Sequence, residues 1–198
     1  MKWDFCLGNP PYQAETVEQV SEANGQAPRK NVFQYFQMEA DKIAATGSIL
    51  IYPGGRWIHQ SGKGLQQFGK EQINDRTLAA VEFYPNAHEV FGQAADLADG
   101  VTIVLKEKSK KESGFNYSYV KGDYKETICV DNPGDDLMPL NPKDILICKK
   151  IKSFVENNAI SFLHDSILPR SLFGIESDFV SKNKNLVQPI EQTEKINF

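Results

Sequence analysis

The segment GSILIYPGGRW, Gly47–Trp57, contains an unbroken apolar run from Ile49 to Tyr52 that stops at Pro53 and two glycines. An apolar run without polar alternation suits a strand covered on both faces, deep in a sheet. Its flanks set the fold class. Trp3 to Leu7 reads as a short buried strand, and Gln13 to Lys30 as a long, polar, mobile loop. A helix is expected from Asn31. Asn31 is placed to cap it, and Gln34 three residues later is placed to return a hydrogen bond. Phe33, Phe36, Ala40, Ile43 and Ala44 recur at helical spacing, and Gly47 supplies the stop. A second helix is expected from Leu65 to Asn74. LAAVEFYP and GVTIVLKEK read as a third and a fourth strand. The order strand, helix, strand, helix, strand, strand predicts an α/β sheet, parallel and ending in a β-hairpin.

After Lys106 the texture changes. KEKSKKESG is a charge run, read as a solvated turn in preference to a phosphate-binding arm. Phe115 to Val120 and Glu126 to Val130 are candidates to pair as short strands, and DNPGDD marks a turn. Pro142 opens a helix over Lys143–Asn157, at a position where proline is welcome. The last forty residues are too poor in apolar periodicity to form a domain alone. The division expected is residues 1–140 as one part and 141–198 as an α/β C-terminal extension that opens with a helix and starts a further region.

Composition narrows the function classes. The formal net charge of −4 gives no overall basic field for nucleic acid. Cys6, Cys129 and Cys148 are odd in number and far apart, which favours buried thiols in a reducing cytoplasm over a zinc site. The N-terminus lacks a signal-peptide pattern, and no stretch reaches transmembrane length, so a cytoplasmic protein without membrane contact is expected. His59, His88 and His164 are scattered without metal spacing. Asp131, Asp135 and Asp136 resemble a turn more than a metal site.

The chemistry concentrates at WDFCLGNPPYQ, Trp3–Gln13. Pro10 and Pro11 fix the backbone and remove two amide donors, leaving carbonyl oxygens as acceptors. The Asn9 side chain adds another acceptor. Two acceptors in fixed geometry suit an amino group that donates two hydrogens, and Tyr12 adds a flat face for a planar ring. The set fits adenine taken out of its stack. The exocyclic amine of adenine is a poor nucleophile because its lone pair is delocalised. Holding both N–H groups draws the nitrogen towards tetrahedral geometry. The rate gain then comes from positioning and preorganised electrostatics, without a Ser, Cys or His nucleophile. The bland reading of the same residues is a proline-rich turn after a strand.

Cys6–Tyr12, CLGNPPY, resembles the catalytic motif of amino-group methyltransferases that use S-adenosylmethionine, particularly N6-adenine-specific DNA methyltransferases of the type II bifunctional restriction–modification kind. The resemblance implies a partial Rossmann-like fold, the second half of the sheet, with the motif after the family's fourth strand. It implies that Asn9 and Pro10 bind the target amine beside the cofactor and that Tyr12 stacks on the flipped base. YPNAHEVFGQAADLADGVTIVLKEK is similar to the later family segment whose Phe contacts that base, and Phe91 is the matching residue. Read from its surroundings alone, Phe91 is a core residue in preference to a base contact. IYPGGRW resembles the family's fifth strand and following loop, with Gly54 and Gly55 standing where a serine is usual. SLFGIESDF resembles the entry to a target-recognition domain.

One departure stands out. The family's Gly-rich cofactor loop and ribose-binding acid precede the Asn-Pro-Pro-Tyr motif, whereas here the motif opens the sequence, and GKGLQQFGK lacks phosphate-loop spacing. The expectation is therefore an incomplete catalytic domain whose first strand is an exposed apolar edge. That edge would pair with a complementary chain or self-associate, with DNA as substrate. The alternatives are an RNA or protein-glutamine methyltransferase, and a non-catalytic remnant or subunit that binds a partner.

Overall fold

The structure, a computed structural model, describes residues 2–15, 29–61, 64–94 and 97–166. The chain divides into two compact units, Met1–Lys150 and Ile151–Phe198. The first is built on a six-stranded sheet. Its strands are β1 (Trp3–Gly8), β4 (Ala44–Pro53), β5 (Leu78–Tyr84), β6 (Val101–Glu107), β7 (Phe115–Lys121) and β8 (Tyr124–Val130). The order across the sheet is β1-β4-β6-β5-β7-β8. A small antiparallel ladder, β2 (Gln13–Glu15) with β3 (Arg29–Asn31), follows β1. The helices are α1 (Phe33–Ile43), α2 (Gln66–Ile73), the single turn α3 (His88–Phe91) and α4 (Pro142–Asn157). Of the second unit, the described residues are the last turns of α4 and a short 3-10 turn, Leu163–Ser166. SLFGIESDF and the polar tail lie outside the described residues.

The α/β class is observed, but the sheet is mixed. β1 and β4 pair in parallel, and β5 and β7 do too. β6 runs antiparallel to both β4 and β5, inserted between them. The expected hairpin of β5 and β6 is therefore present, with its second strand in the sheet interior. Thr102, Val104 and Lys106 of β6 are all buried, on the face that takes the helices. Phe115–Lys121 and Tyr124–Val130 pair as anticipated and extend the same sheet.

Several local expectations are corrected. The strand at Trp3–Leu7 is not buried: β1 is the exposed apolar edge expected of an incomplete domain, with Trp3, Phe5 and Leu7 exposed. Part of the supposed loop at 13–30 is the β2–β3 ladder, whose two strands bracket residues 16–28. Asn31 belongs to β3, so the cap of α1 falls on Val32, with no side-chain hydrogen bond. α1 ends at Ile43, and β4 begins at once with Ala44, so Gly47 lies inside a strand and not at a helix stop. Cys6 is half-buried, and Cys129 and Cys148 are exposed, contrary to the expected buried thiols. Cys129 alternates with inward-facing Ile128 and Val130, so strand period two turns it outward.

β4 is covered more fully on one face than the other. Ser48, Leu50 and Tyr52 are buried beneath α1 and α2, while Ile49 and Ile51 are half-buried. The core is aromatic there. Phe33 meets Tyr52 at 5.0 Å and Phe68 at 5.5 Å, and Tyr52 meets Trp57 edge-on at 5.3 Å. Each such pair adds about 0.5–1.5 kcal/mol beyond its area burial.

A buried polar network ties the helices to the sheet. Tyr52 Oη donates to Gln37 Oε1 at 2.6 Å, and Gln37 Nε2 donates to Asp41 Oδ1 at 2.7 Å and Ser48 Oγ at 3.2 Å. Lys106 Nζ, on a side chain 3% exposed, reaches Asp75 at 2.5 Å, Asp41 at 2.8 Å and Gln72 Oε1 at 3.2 Å. Burial alone would push the Asp75 carboxyl up. The Lys106 ammonium and the Thr77 backbone N–H and hydroxyl outweigh it and hold the carboxyl below its usual range.

Candidate active site

β1, β4 and β5 all run the same way, so the loops that follow them emerge at one end of the sheet. Open α/β sheets bind ligands outside those carboxyl ends. The loop after β1 is Asn9–Tyr12. Asn9 and Pro11 are exposed, Pro10 is buried, and Tyr12 is half-buried against the core. Pro10 thus anchors the loop and leaves the Asn9 amide free to face solvent. The far side of the loop is fixed by Val32 N–H, which donates to the Tyr12 carbonyl at 3.0 Å just before α1. Tyr12 turns its hydroxyl inward. Oη is buried without a partner, and burial pushes the phenol up to about 12, so the ring is neutral at ordinary pH.

The loop after β4 is held from three directions. Trp57 is fully buried, and its Nε1 donates to Thr102 Oγ1 at 2.8 Å. Thr102 Oγ1 in turn donates to the Gly54 carbonyl at 3.2 Å, and Gly54 N–H donates to Gly100 O at 2.8 Å. Arg56 pairs with Asp99 at 2.8 Å across the surface. The two glycines in place of a serine have a steric cause. Gly54 has φ +61°, and a Cβ there would lie 2.7 Å from Asp99 Cβ. A Cβ on Gly55 would lie 2.7 Å from Leu140 Cδ2 and 3.2 Å from Phe83. The loop nests too closely on Asp99 to carry a side chain at Gly54, and a side chain at Gly55 would displace Leu140.

Phe91 is half-buried at the end of α3, after β5. It shares the site's end of the sheet with Tyr12, but β4 and β6 separate their parent strands. Three strand spacings are about 14 Å, so the β1 and β5 loops must lean together for both rings to touch one base.

Among the described residues no group of His, Cys, Asp and Glu is arranged to hold a metal ion, and no helix is long and apolar enough to cross a membrane. The other glycine-rich stretch does not fit S-adenosylmethionine: among the described residues no strand leads into α2, and a Cβ on Gly64 would meet nothing within 4 Å. Glycine at that position therefore makes no room for a closely approaching ligand. Among the described residues this stretch forms no cradle for that cofactor.

Residues that sequence reasoning passed over are Gln37, Gln60 and Lys106. The strand period gives the signal for Lys106, which shares the parity of Thr102 and Val104. The glutamines carry no comparable pattern.

Residues 1–91, a little under half of the chain, match the family model described as Eco57I restriction-modification methylase. No curated protein matches the chain. Similar solved structures include a modification subunit of a putative type I restriction enzyme from Vibrio vulnificus YJ016. The identity there is 15% over 77% of this chain and 31% of that one, at a TM-score of 0.43. The type I restriction-modification methyltransferase subunit from Streptococcus thermophilus gives 15% identity over 77% and 32%, at 0.42. A chain from a study of assembly and conformational transition of the type I R-M system gives 11% over 80% and 45%, at 0.43. This chain therefore spans less than half the length of each of these structures.

Proposed function

We propose that the chain carries the amine-binding part of a DNA methyltransferase of the restriction–modification kind, acting on adenine N6 with S-adenosylmethionine as methyl donor. The observation that supports this best is the Asn9–Tyr12 loop at the carboxyl end of β1, with Asn9 exposed and Pro10 buried. It falls within the part of the chain that matches the methylase family model.

In this reading Asn9 Oδ1 and the Pro10 carbonyl accept the two N–H bonds of the exocyclic amine. Pro10 and Pro11 bring no backbone donor that would compete for those oxygens. The amine nitrogen is drawn towards tetrahedral geometry with its lone pair localised, ready to attack an electrophilic methyl group. Tyr12 offers a ring face to the base, and Phe91 approaches from the β5 loop to complete the sandwich. Bound S-adenosylmethionine supplies the activated methyl group.

The proposal includes a partner. Among the described residues β1 pairs on one side only, with β4, and it presents Trp3, Phe5 and Leu7 at 59, 44 and 71% exposure. An open apolar edge is a template for another strand. A complementary chain on this edge would bring the cofactor cradle and basic surface for DNA phosphates. Residues 1–140 would then be catalytic and 141–198 would lead to target recognition, in the cytoplasm.

The test is transfer of a labelled methyl group to DNA, RNA and protein, by the chain alone and with the product of the adjacent upstream reading frame. Transfer to DNA adenine, lost in Asn9→Ala, is expected. Transfer only to RNA or protein refutes the substrate, and no transfer under either condition refutes the enzyme reading.

A further inference from the structure

α1, α2 and α4 pack on one face of the sheet. α1 and α2 cover Ser48, Leu50 and Tyr52, and Ile145 of α4 joins the same core. The strand register defines the opposite face. Leu7, Ile49, Leu105, Ala80, Asn116 and Cys129 pair in one row across all six strands. Ile51 and Ile103 pair in the next row, and Phe5 Cε1 lies 3.2 Å from the position a Cβ on Gly47 would take. None of the three helices covers this face. Ile49, Ile51, Ile103 and Leu105 are half-buried on it, and Phe5 and Leu7 are exposed. β4 therefore has the unbroken apolar run of a strand covered on both faces, with its helices on one.

The apolar part of the face lies on β1, β4 and β6, three adjacent strands whose two spacings make about 10 Å, the width of one helix. Its rim is acidic. An open cavity of 460 Å³ is lined by Ala80 and Leu105 of the sheet and by Glu107, Lys110 and Glu112 where β6 leads towards β7. Lys110 Nζ donates to the carbonyls of Arg76 and Glu112 at 3.0 and 2.6 Å. Among the described residues no ion pair holds the Glu107 or the Glu112 carboxylate. Glu82, in register with Ile103, pairs with Lys125.

We infer that this outer face seats one amphipathic helix of another chain, with its apolar stripe on Phe5, Leu7, Ile49, Ile51, Ile103 and Leu105 and a basic side chain in the cavity. The aliphatic stem of a lysine or arginine fits the Ala80 and Leu105 surface, and its charged head meets Glu107 and Glu112. A second copy of this chain lacks that complementarity. Two copies face to face would set the same carboxylates against each other, with Lys110 and Lys125 already engaged. The face is distinct from the open hydrogen-bonding edge of β1. A strand added at that edge leaves Phe5 and Leu7 uncovered, and paired strands without a covered apolar face are marginal. The inference rests on the proposed complementary chain for its probe, and not on methyl transfer.

The test titrates the full chain with the product of the adjacent upstream reading frame by calorimetry. Glu107→Lys with Glu112→Lys reverses the rim charge and should leave Tm little changed. Ile51→Thr with Ile103→Thr keeps β-branched strand residues and adds hydroxyls to the face. Each pair is expected to weaken binding about ten-fold, the charge pair mainly at low salt. Unchanged affinity in both pairs, or no binding by the wild type, overturns the inference. Carbodiimide coupling of carboxylates to lysines identifies the occupant. Coupling of Glu107 or Glu112 to a lysine of the partner supports the helix. Coupling to Lys182, Lys184 or Lys195 of the same chain assigns the face to this chain's own tail, and coupling between two copies assigns it to self-association; either overturns the inference. Unchanged affinities with methyl transfer to DNA by the mixture remove the docking face and leave the proposed function standing. Weakened affinities with no transfer by the wild-type mixture keep the face and refute the methyltransferase reading.

Discussion

Lys106→Met isolates the buried ion network. The side chain is 3% exposed, and its ammonium contacts two carboxylates and the Gln72 amide oxygen. Methionine keeps most of the buried stem, so the loss is mainly electrostatic. Removing one partner of a fully buried pair costs about 3–5 kcal/mol. Here Asp41 and Asp75 are 34 and 29% exposed, so water can solvate both once the ammonium is gone. The discounted cost is about 2–3 kcal/mol. For a chain of this size that lowers Tm by roughly 4–12 °C. The pH dependence supplies a second readout. The Asp75 carboxyl titrates below its unfolded value of 3.8, so its contribution is full above that pH and is lost as pH falls through the folded value. The acid limb of the stability curve, below about pH 4, should be steep in the wild type and flatter in Lys106→Met. Urea unfolding followed by circular dichroism at several pH values measures both. A variant as stable as the wild type at pH 7 refutes the network's net contribution. A lower Tm with an unchanged acid limb refutes the assignment to Asp75.

Two further outcomes follow from the packing. Gly54→Ala places a Cβ at φ +61° and 2.7 Å from Asp99 Cβ; the left-handed conformation alone costs about 1–2 kcal/mol, so Tm should fall by at least about 3 °C in calorimetry, and an unchanged Tm refutes the tight nesting. Leu7→Lys changes a residue 71% exposed on the β1 edge, so Tm should move little while concentration-dependent association of the chain in sedimentation velocity is lost; a wild type that stays monomeric at high concentration counts against the edge as an association surface.

The elements were legible where period and punctuation agreed. Pro142 marked α4, and the β-branched run VTIVLKE marked β6. The position of β6 between β4 and β5 was not legible, because strand order is set by long-range pairing that leaves no local pattern. The entry to α1 was misread for a similar reason. Asn31 has the chemistry of a cap, but its backbone pairs with Gln13, and that ladder decides its conformation over local propensity. At the site, the Asn9–Tyr12 loop was legible as a rigid turn after a strand, since prolines act through local geometry. The cause of Gly54 and Gly55 lies at Asp99 and Leu140, over forty residues away, and only the fold could show it.

The fold separates what stabilises it from what the site uses. Lys106 pairs in register with Ser48 and Leu78, near the amino ends of β4 and β5, and its carboxylates come from the last turn of α1 and the segment after α2. The Asn9–Tyr12 and Gly54–Trp57 loops leave the opposite ends. Five residue steps of β4, from Ser48 to Pro53, put about 16 Å between Lys106 and the Gly54–Trp57 loop, and three steps of β1, from Cys6 to Asn9, put about 10 Å between it and the Asn9–Tyr12 loop. The charged network can therefore hold both helices against the sheet without placing a fixed charge beside the uncharged acceptors of Asn9 and Pro10. That separation matters for the proposed chemistry. A lysine ammonium beside the amine would compete for the same acceptors and disfavour positive charge as it develops on the nitrogen during attack. Stability lost at Lys106 should consequently leave the affinity of the folded protein for adenosine unchanged.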